Sequence, residues 1–251
     1  ETVDVYNSNA PLVDLSKIFL SNVPGDLLIS VNGAETPLLD TPILIIALTR
    51  EQSAIANTKS GVPGGDGTKM SLDVQAEAFQ DLVGLKNSLF TNITVNEFPD
   101  LIPPKVLNVT LDYSKGGVGC GFDRCALLTI EFSEFIKEES IHINTSRVSL
   151  GNDYNTTVVN LNEALFTSAV GYTITFTLTE PQRAVAITKS GTKGGDGVPL
   201  VLNVENGFVI DYGANQIRTA TEIYIYESPD NDPPILTNAT LNLGTGALVM
   251  I

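Results

Sequence analysis

TKSGVPGGDG, from Thr58 to Gly67, and TKSGTKGGDG, from Thr188 to Gly197, are one ten-residue phrase written twice, with eight positions identical. The copies lie 130 residues apart (188 − 58), and the register extends outward without a gap. LTREQSAIA (Leu48 to Ala56) falls on LTEPQRAVA (Leu178 to Ala186), and Leu72, Val74, Asp81, Glu97, Asp100, Pro103 and Pro104 all recur 130 positions later. A period of this length is a domain rather than a solenoid coil. The 251 residues hold a little under two such units.

With 43% hydrophobic and 17% charged residues, the chain can bury a full core and is globular rather than disordered. A net charge of −15 argues against nucleic acid and anionic membranes as partners, because both repel it. An acidic surface suits a protein that meets divalent cations, or one that must stay soluble. The longest apolar run, Ile43 to Leu48, is too short to span a bilayer, so no membrane insertion is expected. The chain starts at Glu1 with no charged and apolar leader behind it, and is expected to be a mature or internal segment.

Read in phase, three segments are expected: 1–102, a domain lacking its first two strands; 103–232, a complete domain; and 233–251, the opening hairpin of a further domain. Pro103-Pro104 and Pro233-Pro234 bound them as stiff joints. Within the complete unit, Val106 to Asp112, Leu127 to Ser133, Ile141 to Leu150 and Thr157 to Leu161 read as strands. Thr173 to Thr179 is the clearest, with Ile174, Phe176 and Leu178 alternating with threonines. Thr49-x-x-Gln52 and Thr179-x-x-Gln182 have the form of capping boxes, so each unit should carry one short helix, packed on the sheet edge by Ile55 or Val185. Gly61 and Gly191 fall where a C-terminal cap belongs, and GGDG then reads as a tight turn. The fold class is all-β: tandem immunoglobulin-like β-sandwich domains with one short helix per repeat.

Cys120 and Cys125 form a C-x4-C pair with no second cysteine pair or nearby histidine, which favours a hairpin-tip disulfide over zinc. Matching Ala126-Leu127-Leu128 to Ala247-Leu248-Val249 places them in or beside a nine-residue insertion (130 − 121). Asn92, Asn108, Asn144, Asn155 and Asn238 head Asn-x-Ser/Thr sequons and are glycosylation candidates in a secretory source. For metal, Asp66 and Asp196 of the two GGDG turns and Asp230 and Asp232 of the acidic joint are the candidate ligands. No cofactor is expected, with calcium as the one candidate.

The phrase PPKVLNVTLDY, followed by ALLTIEFSE, LTEPQRAVAI and GGDG, resembles the tandem Ig-like or cadherin-like repeats of very large surface proteins in algae, protists and cyanobacteria. The resemblance implies architecture and an extracellular location, at the cell surface or in an appendage. Members serve as adhesins, surface-layer proteins and mastigoneme-like hairs. Asp230 and Asp232 beside Asn231 look like the calcium-binding joints of cadherins, a likeness the first linker does not share.

An enzyme needs converging acids, bases or nucleophiles, and they are scarce. The single histidine, His142, lies between Ile141 and Ile143 and is expected on the wet face of a strand. A carbohydrate-binding platform needs a row of aromatics, yet the chain has no Trp, and only Tyr224 and Tyr226 are expected to share a strand face. A non-enzymatic structural segment of a filament, appendage or adhesive stalk is therefore expected; the alternative is a carbohydrate- or calcium-dependent binding or adhesion module. The expected partners are copies of itself, head to tail, with Pro233 to Ile251 completing the Glu1 domain of the next copy. The copies are then either windows on one longer covalent chain or separate chains that donate the hairpin. Other surface proteins and polysaccharides are the further candidates.

Overall fold

A computed structural model of the chain describes residues 13–23, 25–36, 43–81, 83–114, 125–153, 156–231, 233, 236 and 238–250; for 142, 143, 153 and 156 it describes the backbone alone. The first unit carries β1 (Ile18–Ser21), β2 (Ile29–Ser30), the helix α1 (Arg50–Thr58), β3 (Ser71–Val74) and β4 (Phe90–Thr94). Its four strands form one sheet in the order β2-β1-β3-β4. The second unit runs β5 (Val106–Asp112), β6 (Ala126–Phe132), α2 (Glu138–Asn144), β7 (Val148–Asp153), β8 (Thr156–Asn160), β9 (Leu165–Val170) and β10 (Thr173–Leu178). It continues through α3 (Glu180–Thr188), β11 (Val201–Val204), β12 (Ala220–Tyr224) and β13 (Tyr226–Ser228). Two sheets result, β13-β5-β6-β10-β9 and β12-β11-β7-β8, and a separate hairpin follows, β14 (Ala239–Asn242) with β15 (Ala247–Met250). The protein is mostly β-sheet.

Alternation builds the second unit. Leu128, Ile130 and Phe132 of β6 and Ile174, Phe176 and Leu178 of β10 are fully buried, as their period of two requires. They meet Val148, Leu150, Val159, Leu202 and Val204 of the facing sheet in one core cluster. Each such side chain contributes about 1.5–3 kcal/mol on burial. The first unit has a much smaller cluster: six buried residues among those described, against 24 in the second.

Elements recur at the sequence period. α1 and α3, β3 and β11, and β4 and β12 each start and end 130 residues apart (50 and 180, 71 and 201, 90 and 220). Ile18 opposite Val74 is matched by Val148 opposite Val204, and the bridge from Gln80 to Lys86 by that from Ile210 to Gln216. The five-stranded sheet is different. Among the described residues, no strand lies beside Leu44–Leu48, the counterpart of β10, on the side that β6 takes in the second unit. Leu44, Ile46 and Leu48 are only half-buried where Ile174, Phe176 and Leu178 are sealed.

Four expectations need correction. Residues 141–144 belong to α2 and not to a strand, so the second unit has two α-helices among the described residues and His142 lies in one of them. Glu138 and Glu139 in the first turn favour that helix through its dipole, which the alternation of Ile141 and Ile143 masks in the sequence. Ile55 and Val185 are 39% and 45% exposed; the helices dock instead by Gln52 and Ala54, and by Gln182, Arg183 and Ala186. Gly61 and Gly191 do not have positive φ, and the helix caps are Lys59 and Lys189. Finally, Leu241 pairs with Leu248 as Leu111 pairs with Leu128, so the insertion in the second unit is ten residues (130 − 120), not nine. A one-residue slip reverses the faces of a strand, and apolar facing overrides the identity match.

Candidate functional site

The repeated decapeptide closes on itself. Gly65 N–H donates to Val62 O and Gly67 N–H to Ser60 O; in the second copy Gly195 N–H donates to Thr192 O and Gly197 N–H to Ser190 O. A Cβ on Gly65 or Gly195 would stand 2.1 Å from the carbonyl oxygen of Ser60 or Ser190, which explains the second glycine of GGDG. Asp66 Oδ1 accepts from Thr68 N–H and Oδ2 from the Asn22 amide at 2.7 Å; Asp196 serves Val198 N–H and the Asn152 amide in the same way. Both carboxylates thus tie the turn to the end of a sheet, and among the described residues neither belongs to a cluster of three acids.

A glutamate 36 residues downstream completes the motif. Glu97 accepts from Gly61 N–H and Met70 N–H, and Glu227 from Gly191 N–H and Leu200 N–H. Glu227 also accepts from the buried Tyr113 hydroxyl at 2.5 Å. Burial and the Glu227 carboxylate push that phenol up. The recurrence of Glu97 at Glu227 was the signal available in sequence.

The GGDG turn of the first unit also meets the second unit. Gly64 has φ +99°, and a Cβ there would lie 2.1 Å from Tyr212 O; at Gly194, with the same φ, nothing but an Ile187 methyl lies close. Arg50 Nη1 is 3.6 Å from Glu131, and its guanidinium sits over the Tyr172 ring at 4.8 Å. Between these contacts is a cleft of about 490 Å³ with Leu48, Ser53, Ala54 and Phe98 on one wall and Glu134, Phe135 and Tyr212 on the other.

At this junction Asp100, Glu134 and Asp211 offer carboxylate oxygens within 4.8 Å of one another. The linker supplies the first, the chain after β6 the second, and the turn before β12 the third. Asn215 binds the group together: its N–H donates to Asp211 Oδ1 at 2.8 Å, and its amide to Asp211 Oδ2 and to Asp100 O. Burial first, then the charges of Asp211 and Asp100, raise the Glu134 carboxyl to about 8; Asp211 is raised as well, chiefly by burial. A proton therefore relieves the repulsion near neutrality. Three clustered carboxylates are also the oxygen donor set a hard cation takes, with water completing the shell, and these three residues would hold it.

None of the metal candidates from sequence lies here. Asp230, the counterpart of Asp100, forms an ion pair with the buried Arg183, which also bonds Glu180 and Tyr113 O; Asp232 lies outside the described residues. Cys125 is buried and disulfide-bonded, while Cys120 lies outside the described residues. Asn92 is exposed with φ +56°, Asn108 is half-buried on β5, Asn144 donates its amide to Ser140 O, Asn238 is exposed, and Asn155 lies outside the described residues. Tyr224 and Tyr226 fall on different sheets around the buried Ile225; their rings are 4.9 Å apart and edge to face at 83°, which is not a flat platform for a sugar. No family model, curated protein or solved structure matches the chain.

Proposed function

We infer that the chain is a non-enzymatic structural segment of a long extracellular repeat protein, built of tandem immunoglobulin-like domains and forming a filament, appendage or adhesive stalk. The observation that carries this is the junction. Gly64 against Tyr212, Arg50 between Glu131 and Tyr172, and Asp100 between Glu134 and Asp211 fix one unit on the next across a proline-bounded linker. A spacer needs a joint of that kind, because stiffness is what lets repeated units span distance. The disulfide at Cys125 and the sequons support an oxidising, secretory setting. Thiol titration of the denatured, unreduced chain should find no free sulfhydryl, because Cys120 and Cys125 pair; two free thiols overturn the pairing.

Small-angle scattering tests the spacer directly. Expected is the profile of two units held at one angle, unchanged by Gly194→Ala and broadened by Gly64→Ala. Two independently tumbling units in the unaltered protein would overturn it. The second reading, a calcium-dependent module, rests on the Asp100, Glu134 and Asp211 group alone. Calorimetric titration with calcium, repeated on Glu134→Gln, decides it: no heat in the unaltered protein ends that reading.

A further inference from the structure

Alternation puts Asn108 on the outer face of its sheet. Val109, Leu111 and Tyr113 are fully buried, so Asn108, Thr110 and Asp112 point the other way. Asn108-Val109-Thr110 is a sequon, and Asn238-Ala239-Thr240 repeats it 130 positions on. Among the described residues the Asn108 amide has no hydrogen-bond partner, whereas that of Asn144 donates to Ser140 O.

Two tyrosines stand beside this sequon. β13 runs parallel to β5 with Tyr226 next to Thr110, while Glu227, next to Leu111, turns inward to accept the Tyr113 hydroxyl. Tyr226 therefore shares the outer face with the sequon threonine. One step of two residues back along both chains, the same register brings Tyr224 level with Asn108, and β12 does pack close to β5. Tyr224 and Tyr226 are 55% and 61% exposed, with ring centroids 4.9 Å apart at 83°. The first unit has Thr94 and Asn96 in these places, so the repeat itself does not require aromatics there. Thr94 and Asn96 are exposed although a whole unit follows them, so a following unit leaves this face open.

Two rings edge to face make a corner, in which one ring shows its face beside the other's edge. A corner is too small for a polysaccharide chain but suits one sugar ring, whose C–H bonds pack on an aromatic face. A sugar attached alongside needs no wider platform, because the tether keeps its effective concentration high.

We propose that Asn108 carries an N-linked glycan whose first N-acetylglucosamine packs into the corner of Tyr224 and Tyr226. The donor is a lipid-diphosphate-linked oligosaccharide of the secretory pathway. The Asn108 amide nitrogen bonds to C1 of the sugar and gives up one proton; the bond from C1 to the diphosphate oxygen breaks, and the lipid diphosphate leaves with the electron pair. Upstream of Thr110, β5 has no ladder partner on its β13 side among the described residues, and a bulky sugar there blocks edge-to-edge pairing. The inference rests on the extracellular reading and adds a modification to it.

The test uses the full chain secreted from eukaryotic cells. Enzymatic release of N-glycans in heavy-oxygen water, read by peptide mass spectrometry, should convert Asn108 to labelled aspartate; an unlabelled Asn108 overturns the proposal. Packing on the tyrosines has its own readout. Asn108→Gln should lower the melting temperature of the second unit by about 3 °C, and trimming the glycan to its first sugar should leave it unchanged. In a Tyr226→Ala background, which folds because that side chain is exposed, the effect of Asn108→Gln should vanish. An effect that survives Tyr226→Ala, or no effect in the unaltered background, overturns the proposal. Scattering keeps the two levels apart: a bare Asn108 on a stiff two-unit particle removes the glycan and leaves the spacer, whereas independently tumbling units with a labelled Asn108 remove the spacer alone.

Discussion

Gly64 and Gly194 occupy equivalent places with the same φ of +99°, yet only Gly64 touches the neighbouring unit. The pair separates backbone strain from junction contact. Gly194→Ala should cost about 1–2 kcal/mol, the usual loss for a left-handed non-glycine residue. Gly64→Ala should cost that and also displace Tyr212, which hydrogen exchange at Tyr212 and Gly213 would show as lost protection. Glu134 gives a second prediction. Its folded value of about 8 lies above the ordinary 4.5, so between those values the folded state binds more protons than the unfolded chain. Stability should fall as pH rises through this window, and Glu134→Gln should flatten the slope in denaturant titrations at several pH values. Neither prediction was legible in the sequence. Asp100, Glu134 and Asp211 come from three separated stretches, and only the recurrence of Asp100 and Asp81 at Asp230 and Asp211 hinted that those positions matter.

The short helices show what local sequence reveals and what it hides. Thr179-x-x-Gln182 was readable, and the bond from Thr179 N–H to Gln182 Oε1 is present at 2.9 Å. What fastens the helix was not readable, because pattern logic assigns docking to Val185 and overlooks a buried glutamine. The Gln182 amide donates to Asn160 O at 2.8 Å, just as Gln52 donates to Ser30 O and Asn32 O. Thr179→Ala should therefore cost about 1 kcal/mol. Gln182→Ala should cost roughly twice that, since it removes the box and strands a carbonyl at the end of β8. Equal losses in thermal melts of the two variants would show that the sheet contact contributes nothing. The misread of 141–144 has the mirror cause: two isoleucines spaced by one imitate a strand, while charge at the helix start decides.

For the whole molecule, the period, the proline joints and most strands of the second unit could be read from the chain, because repeats and alternation are local signals. The difference in core size between the units follows from burial: the core cluster of the second unit holds 24 buried residues among those described, and that of the first holds six. Calorimetry should resolve two transitions, the first unit melting earlier. A single transition would contradict this. The parallel pairing of β13 with β5 has a mechanical side. These are the last and first strands of the second unit, and Tyr226–Ser228 lies alongside Thr110–Asp112 in the same direction. A pull along the chain therefore drags the two strands past each other and loads their backbone bonds together in shear, instead of peeling them one by one. A unit laced in this way resists tension through its entry and exit strands, whatever hangs from either end.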